Sequence, residues 1–213
     1  MALTGLIFIG YVIAHMYGNL KVFGGQEAFD TYAEHLREFG EPILPHEGFL
    51  WLLRVVLILS LVVHTVAGYR LWARAAGARS QRYAVKKATK STLSSRTMRW
   101  GGTALLLFIV FHILNLTTRT ITPGGDSASP YQRMLNSFAP ENWWVTVIYL
   151  LALVALGMHL RHGVFSSAQT LGYTSTQAAR AFWNRVGWSV LILVAGGFAI
   201  VPVSILLGLV PGA

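Results

Sequence analysis

The chain has 213 residues and a mass of 23.4 kDa; 54% of its residues are hydrophobic and only 12% charged, with mean hydropathy +0.53, which excludes a soluble fold of this size. The formal charge of +9 would fit a nucleic-acid binder only if Lys and Arg shared a solvated face, and here they lie between long apolar runs. The absence of Cys excludes disulfides, thiolate catalysis and protein-held iron–sulfur clusters, so any metal chemistry falls to His or carboxylate.

Five segments are long and apolar enough to cross a hydrocarbon core of about 30 Å: approximately Met1–Leu20, Phe49–Trp72, Met98–Thr118, Trp143–His162 and Trp183–Val210. Trp51, Trp72, Trp100, Trp143, Trp144 and Trp188 near their ends suit the headgroup layer. Met1 opens directly into the first span with no positively charged n-region, so no cleavable signal is expected, and residues are expected to be missing before it. The fold class is therefore an all-α membrane protein, a single five-helix domain over residues 1–213 whose first four helices form a bundle.

Charge sets the orientation, because Lys and Arg of short loops favour the cytoplasmic side. The Trp72–Met98 connection and its flanks hold Arg70, Arg74, Arg79, Arg82, Lys86, Lys87, Lys90, Arg96 and Arg99; the Arg161–Arg185 connection holds three more, Arg161, Arg180 and Arg185. All eight acids, Glu27, Asp30, Glu34, Glu38, Glu41, Glu47, Asp126 and Glu141, lie in the other two loops. This partition predicts a cytoplasmic N-terminus and an external C-terminus.

The spans carry one unusual residue type. His15, His64, His112 and His159 sit one on each of the first four helices, while His35 and His46 lie in the first outer loop and His162 at an inner helix end. An ionisable side chain in a span is costly and normally faces a partner inside the bundle. At about 1.5 Å per residue, His15 is roughly 21 Å from the inner start of its helix and His112 about 18 Å beyond Trp100, both in the outer half. His64 falls roughly 20 Å below Trp51 and His159 about 24 Å below Trp143, both in the inner half. Depth thus pairs His15 with His112 and His64 with His159.

Two imidazoles on facing helices at one depth are what a bis-imidazole haem b requires, so two pairs predict two haem b groups. Zinc fits less well, with only two protein ligands per level; interhelical hydrogen bonding is the alternative that needs no cofactor. Gly68 and Gly101 would give a porphyrin flat space. Arg70, Arg74, Arg99 and Arg161 near the inner end are propionate candidates, and Arg54 at the outer end is a candidate for a propionate or a quinone.

With these residues placed, the chain resembles the dihaem cytochrome b membrane anchors of the succinate dehydrogenase and fumarate reductase family, the single-subunit type with five helices. The resemblance is carried by His15-Met-Tyr-Gly-Asn-Leu with Phe23-Gly-Gly and Phe29-Asp-Thr-Tyr, by His64 with Gly68, and by His159-Leu-Arg-His-Gly163 with Ser166, Gln169 and Gly172. It implies the same ligand pairing, a flavoprotein and an iron–sulfur subunit docked on the cytoplasmic face of a bacterial cell membrane, and docking contacts from the Arg74–Arg99 loop. It further implies that electrons reach a quinone, menaquinone above all, with no succinate chemistry in this chain although it forms part of the enzyme. Asn19, Lys21, His46, Glu47 and Arg54 border the outer level and are the quinone candidates. No acid occurs in the fourth span, so proton movement along an acidic residue there has no support. The competing functions are the cytochrome b subunit of a hydrogenase or formate dehydrogenase, and a transporter or scaffold. Transport is disfavoured by the lack of carboxylates in the spans and of an internal repeat.

Overall fold

The computed structural model describes residues 1–77 and 93–213. Helix makes up 81% of it, and no strand occurs among the described residues. In chain order the helices are α1 (Ala2–Leu20), α2 (Gly25–Glu38), α3 (Gly48–Gly77), α4 (Leu93–His112), α5 (Pro130–Phe138), α6 (Trp143–Thr170) and α7 (Gln177–Leu206). A 3-10 turn, Lys21–Gly24, joins α1 to α2, and α4 runs on into a π-turn, Ile113–Thr117. Five of these helices, α1, α3, α4, α6 and α7, are long and apolar enough to cross a membrane.

The five expected spans are all present, and four helices outrun them at their basic ends, α4 by starting at Leu93 rather than Met98. At 30 residues α3 is about 45 Å long, more than a bilayer core needs, so Arg70 and Arg74 ride on its exposed last turns. The pair Arg161-His162 reads in sequence as the end of a span, yet α6 continues to Thr170 because Val164, Ser167 and Ala168 are buried against neighbouring helices. Helix α7 starts at Gln177 rather than Trp183: the Thr176 hydroxyl caps it by accepting from the Ala179 N–H at 3.1 Å.

Helix α6 is the spine, packing against α7, α4 and α1, whereas α3 leans on α1 and α2. Its buried residues Val145, Tyr149, Ala152, Leu153, Gly157, Leu160, Val164 and Ala168 recur at three- and four-residue spacing, one continuous face. Small residues set how near α7 comes. Gly157 faces Leu191 and Ala195, and a Cβ at Gly187 would lie 2.9 Å from the Arg161 carbonyl oxygen. On α3 the side chains of Val55, Ile58, Leu59, Val62 and Val63 are exposed, a surface suited to hydrocarbon rather than water.

One end of the bundle is capped. Helices α2 and α5 close over the end of α1, the start of α6 and the end of α7, burying Val22, Tyr131, Leu135, Phe138, Val145, Val201 and Ile205 in one cluster. Asp30 of α2 ties α5 down: it accepts from the Ser129 hydroxyl at 2.6 Å and from the Tyr131 N–H at 3.0 Å, while Ser129 caps α5 through the Gln132 N–H. Every acid of the chain belongs to the segments at this end, and the described Arg70, Arg74, Arg99 and Arg161 belong to the other.

Because the Gly187 Cβ position meets backbone, Gly187→Ala is expected to destabilise the α6–α7 pair by about 1–3 kcal/mol. Gly196, on the same helix with nothing within 4 Å, should accept Ala neutrally or with a small gain. Thermal unfolding of the two variants in detergent checks this. Equal stabilities would contradict the close approach.

Candidate functional site

At the capped end, His15 of α1 and His112, the last residue of α4, face each other with ring centroids 5.8 Å apart and planes at 83°. Tyr11 stacks on His15 at 5.3 Å and Phe198 of α7 lies 5.7 Å from it. Toward the opposite end, His64 of α3 and His159 of α6 face each other with centroids 6.1 Å apart. The four membrane histidines thus meet as two pairs on two levels.

Hydrogen bonding fixes which nitrogen of His112 carries its proton. Asn115 is 2% exposed, and its amide nitrogen donates to the Ile121 carbonyl at 3.0 Å and to Ser137 Oγ at 3.2 Å, which turns its Oδ1 toward Tyr149. The Tyr149 hydroxyl gives its single proton to that Oδ1 at 3.0 Å. At 3.1 Å from His112 Nδ1 the same oxygen can then only accept, so Nδ1 bears the hydrogen and Nε2 keeps its lone pair. The same logic holds for His64. Thr4 Oγ1 donates to the Met1 carbonyl at 3.0 Å and so accepts from His64 Nδ1 at 3.0 Å. Both rings therefore present a bare Nε2, the form in which imidazole ligates a metal.

The donor set fits an ion held between two imidazoles. A metal about 2 Å from each nitrogen sets the ring centroids about 6 Å apart, close to both observed separations. Among the described residues no group of three or more His, Asp or Glu gathers to form a protein-only cage. His159 Nδ1 is buried with no hydrogen-bond partner, and beside this ring lies a cavity of about 300 Å³ bounded by Met98 and Gly101 of α4 and Leu151, Ala155 and Met158 of α6. Gly101 therefore opens space at the level of the His64–His159 pair, beside His159. Gly102, next to it, has its Cβ direction 3.5 Å from His159 Cε1.

The remaining candidates separate by what they touch. Arg161 lies over the Trp188 ring at 4.3 Å and donates to Asn184 Oδ1 at 3.3 Å, both on α7. Arg99 lies 5.5 Å over Trp72, where Trp72 and Trp100 also meet and Tyr69 bonds Thr103, joining α3 to α4 at the basic end. Arg70 and Arg74 are exposed. Arg54 stacks on Trp51 at 4.8 Å and donates to Glu47 at 3.3 Å; Glu47 also pairs with Arg37, and His46 pairs with Glu41 at 3.1 Å. Asn19 donates to the His15 carbonyl at 2.8 Å, and Lys21 lies over Tyr17 at 4.8 Å. The five quinone candidates thus fall into two groups, at the end of α1 and the head of α3, and no hydrogen bond or ion pair joins them among the described residues. His35 is exposed and His162 half-buried. Arg79, Arg82, Lys86, Lys87 and Lys90 lie outside the described residues, as does the side chain of Arg96.

Thr4, Asn115 and Tyr149 were not legible as site residues. Asn115 gave the one available signal, an amide three residues past His112 in an apolar run. No family model matches the chain, and neither a characterised protein nor a solved structure matches it.

The Cβ direction at Gly5 lies 3.8 Å from Ser167 Oγ, within disulfide reach. In this Cys-free chain, Gly5→Cys with Ser167→Cys is expected to form an intramolecular disulfide on oxidation, read by a mass shift on alkylation. Failure to cross-link would separate α1 from the basic end of α6 and undo the His64–His159 level.

Proposed function

We propose that this chain is the membrane anchor and electron-transfer subunit of a succinate:quinone oxidoreductase, with His15 and His112 as axial ligands of an outer haem b and His64 and His159 of an inner one. The observation that carries it is the meeting of four intramembrane histidines as two depth-separated pairs, about 6 Å between rings, with Nδ1 of one ring in each pair bonded to a hydroxyl. The motif resemblance around His15 and His159 supports succinate as the electron source over hydrogen or formate. When bound, two such haems supply one-electron transfer between the two membrane faces.

The chain's own part is to hold, orient and insulate. Tyr149 and Thr4 fix the tautomers of His112 and His64, while Tyr11, Phe8 and Phe198 wall the rings with apolar surface. The charge partition supports a cytoplasmic N-terminus and an external C-terminus. Arg70 and Arg74, exposed beyond α3, would meet a flavoprotein and iron–sulfur pair on the cytoplasmic side. Asn19, Lys21, His46, Glu47 and Arg54 line the outer end, where a menaquinone would exchange protons with water.

A pyridine haemochrome assay on the purified chain is expected to give about two b haems per polypeptide. One haem would remove a pair; none would leave the histidines as interhelical polar contacts and overturn the cytochrome function. A reporter fused at the C-terminus should be active only outside the cytoplasm, and cytoplasmic activity would invert the topology.

A further inference from the structure

We infer that Tyr149 is a positioning residue for the outer iron ligand, acting with Asn115 in series to set the electron affinity of the site that His112 helps to form; this rests on the cytochrome function proposed above. The relay is Ile121 and Ser137 to Asn115, Asn115 to Tyr149, and Tyr149 to His112, with each link between 3.0 and 3.2 Å. Its order is fixed by proton count. The Asn115 amide spends its N–H groups on Ile121 and Ser137, and the phenol spends its one proton on Asn115, so the imidazole N–H has an acceptor that cannot turn into a donor.

Two features make this more than a packing contact. The π-turn Ile113–Thr117, marked by the Thr118 N–H bonding to the Ile113 carbonyl at 2.8 Å, directly follows His112 and contains the buried Asn115. The Tyr149 ring is clamped edge-on by Phe108 at 4.9 Å and Phe138 at 4.8 Å, which stops the hydroxyl from swinging away. A chain built only to join α4 to α6 would not need a three-member relay ending on a ring nitrogen.

An acceptor at Nδ1 makes the imidazole a stronger donor at Nε2 and favours the oxidised metal. In the inner pair, Thr4 plays the corresponding role for His64 through a hydroxyl that, among the described residues, bonds beyond it to the Met1 carbonyl. The two levels therefore carry separate and unequal controls.

The test is a spectroelectrochemical titration of the purified, haem-loaded chain with Tyr149→Phe, which removes one oxygen from an apolar clamp and leaves the ring in place. Both haems are expected to remain, with the midpoint potential raised for the one whose signal His112→Ala abolishes and unchanged for the other. Asn115→Leu should move the same potential the same way by less and add nothing in the double variant, as groups in series do. Thr4→Val should move only the other potential. Two haems with unmoved potentials in Tyr149→Phe, two that move together, or loss of a haem on that change would overturn the positioning role while leaving the cytochrome function standing. A wild-type chain without haem would overturn both.

Discussion

An imidazole placed in hydrocarbon needs partners for its ring nitrogens, and this protein places four of them in its spans, two with a hydroxyl on Nδ1 and one, His159, with that nitrogen buried and unbonded. Each histidine sits where a lone polar group would be expensive. The helices answer by bringing a second imidazole to the same depth, and in each pair a hydroxyl, from Tyr149 or Thr4, occupies Nδ1 of one ring. On the two rings so held, Nε2 is left with its lone pair, and each ring lies about 6 Å, centroid to centroid, from the second imidazole of its pair.

The rest of the bundle keeps these levels apart and in register. Helix α6 contributes to both: Tyr149 bonds His112 at the capped end and His159 belongs to the pair toward the basic end, ten residues and about 15 Å along the axis. Gly157 of α6 and Gly187 of α7 let the two helices lie close, and the two levels share α6 as one element. Helix α3, by contrast, buries little beyond Ser60 and is held at its ends, by Glu47–Arg37 backbone bonding and Phe39–Phe49 contact at one and by the Trp72–Trp100 and Tyr69–Thr103 contacts at the other. Between those ends stands His64. There its ring is held by Thr4 and Phe8 of α1 and by His159 of α6, the contacts that tie the middle of α3 to the bundle.

Much of this was legible from the amino-acid order. Span number follows from apolar length, and histidine pairing follows from counting residues from span ends, because helical rise is constant whatever the packing. The helix ends were less legible, since Arg161-His162 looks like a membrane boundary while the buried Val164 and Ala168 beyond it keep α6 intact. The supporting residues were not legible at all. Tyr149 is 37 residues from His112 and Thr4 is 60 from His64, and neither differs in sequence from an ordinary polar residue in a span. Arg161 reads as a propionate candidate, but its guanidinium is engaged by Trp188 and Asn184, contacts that depend on how α7 rotates against α6.

The most direct measurement is the haem content of four single variants, His15→Ala, His112→Ala, His64→Ala and His159→Ala, resolved by the potential of the haem that survives. Two outcomes, each shared by two variants, are expected: His15→Ala and His112→Ala keep one and the same haem, and His64→Ala and His159→Ala keep the other. If the losses instead group His15 with His64, or if all four variants bind haem as the parent does, the two-level pairing at the centre of this structure is wrong.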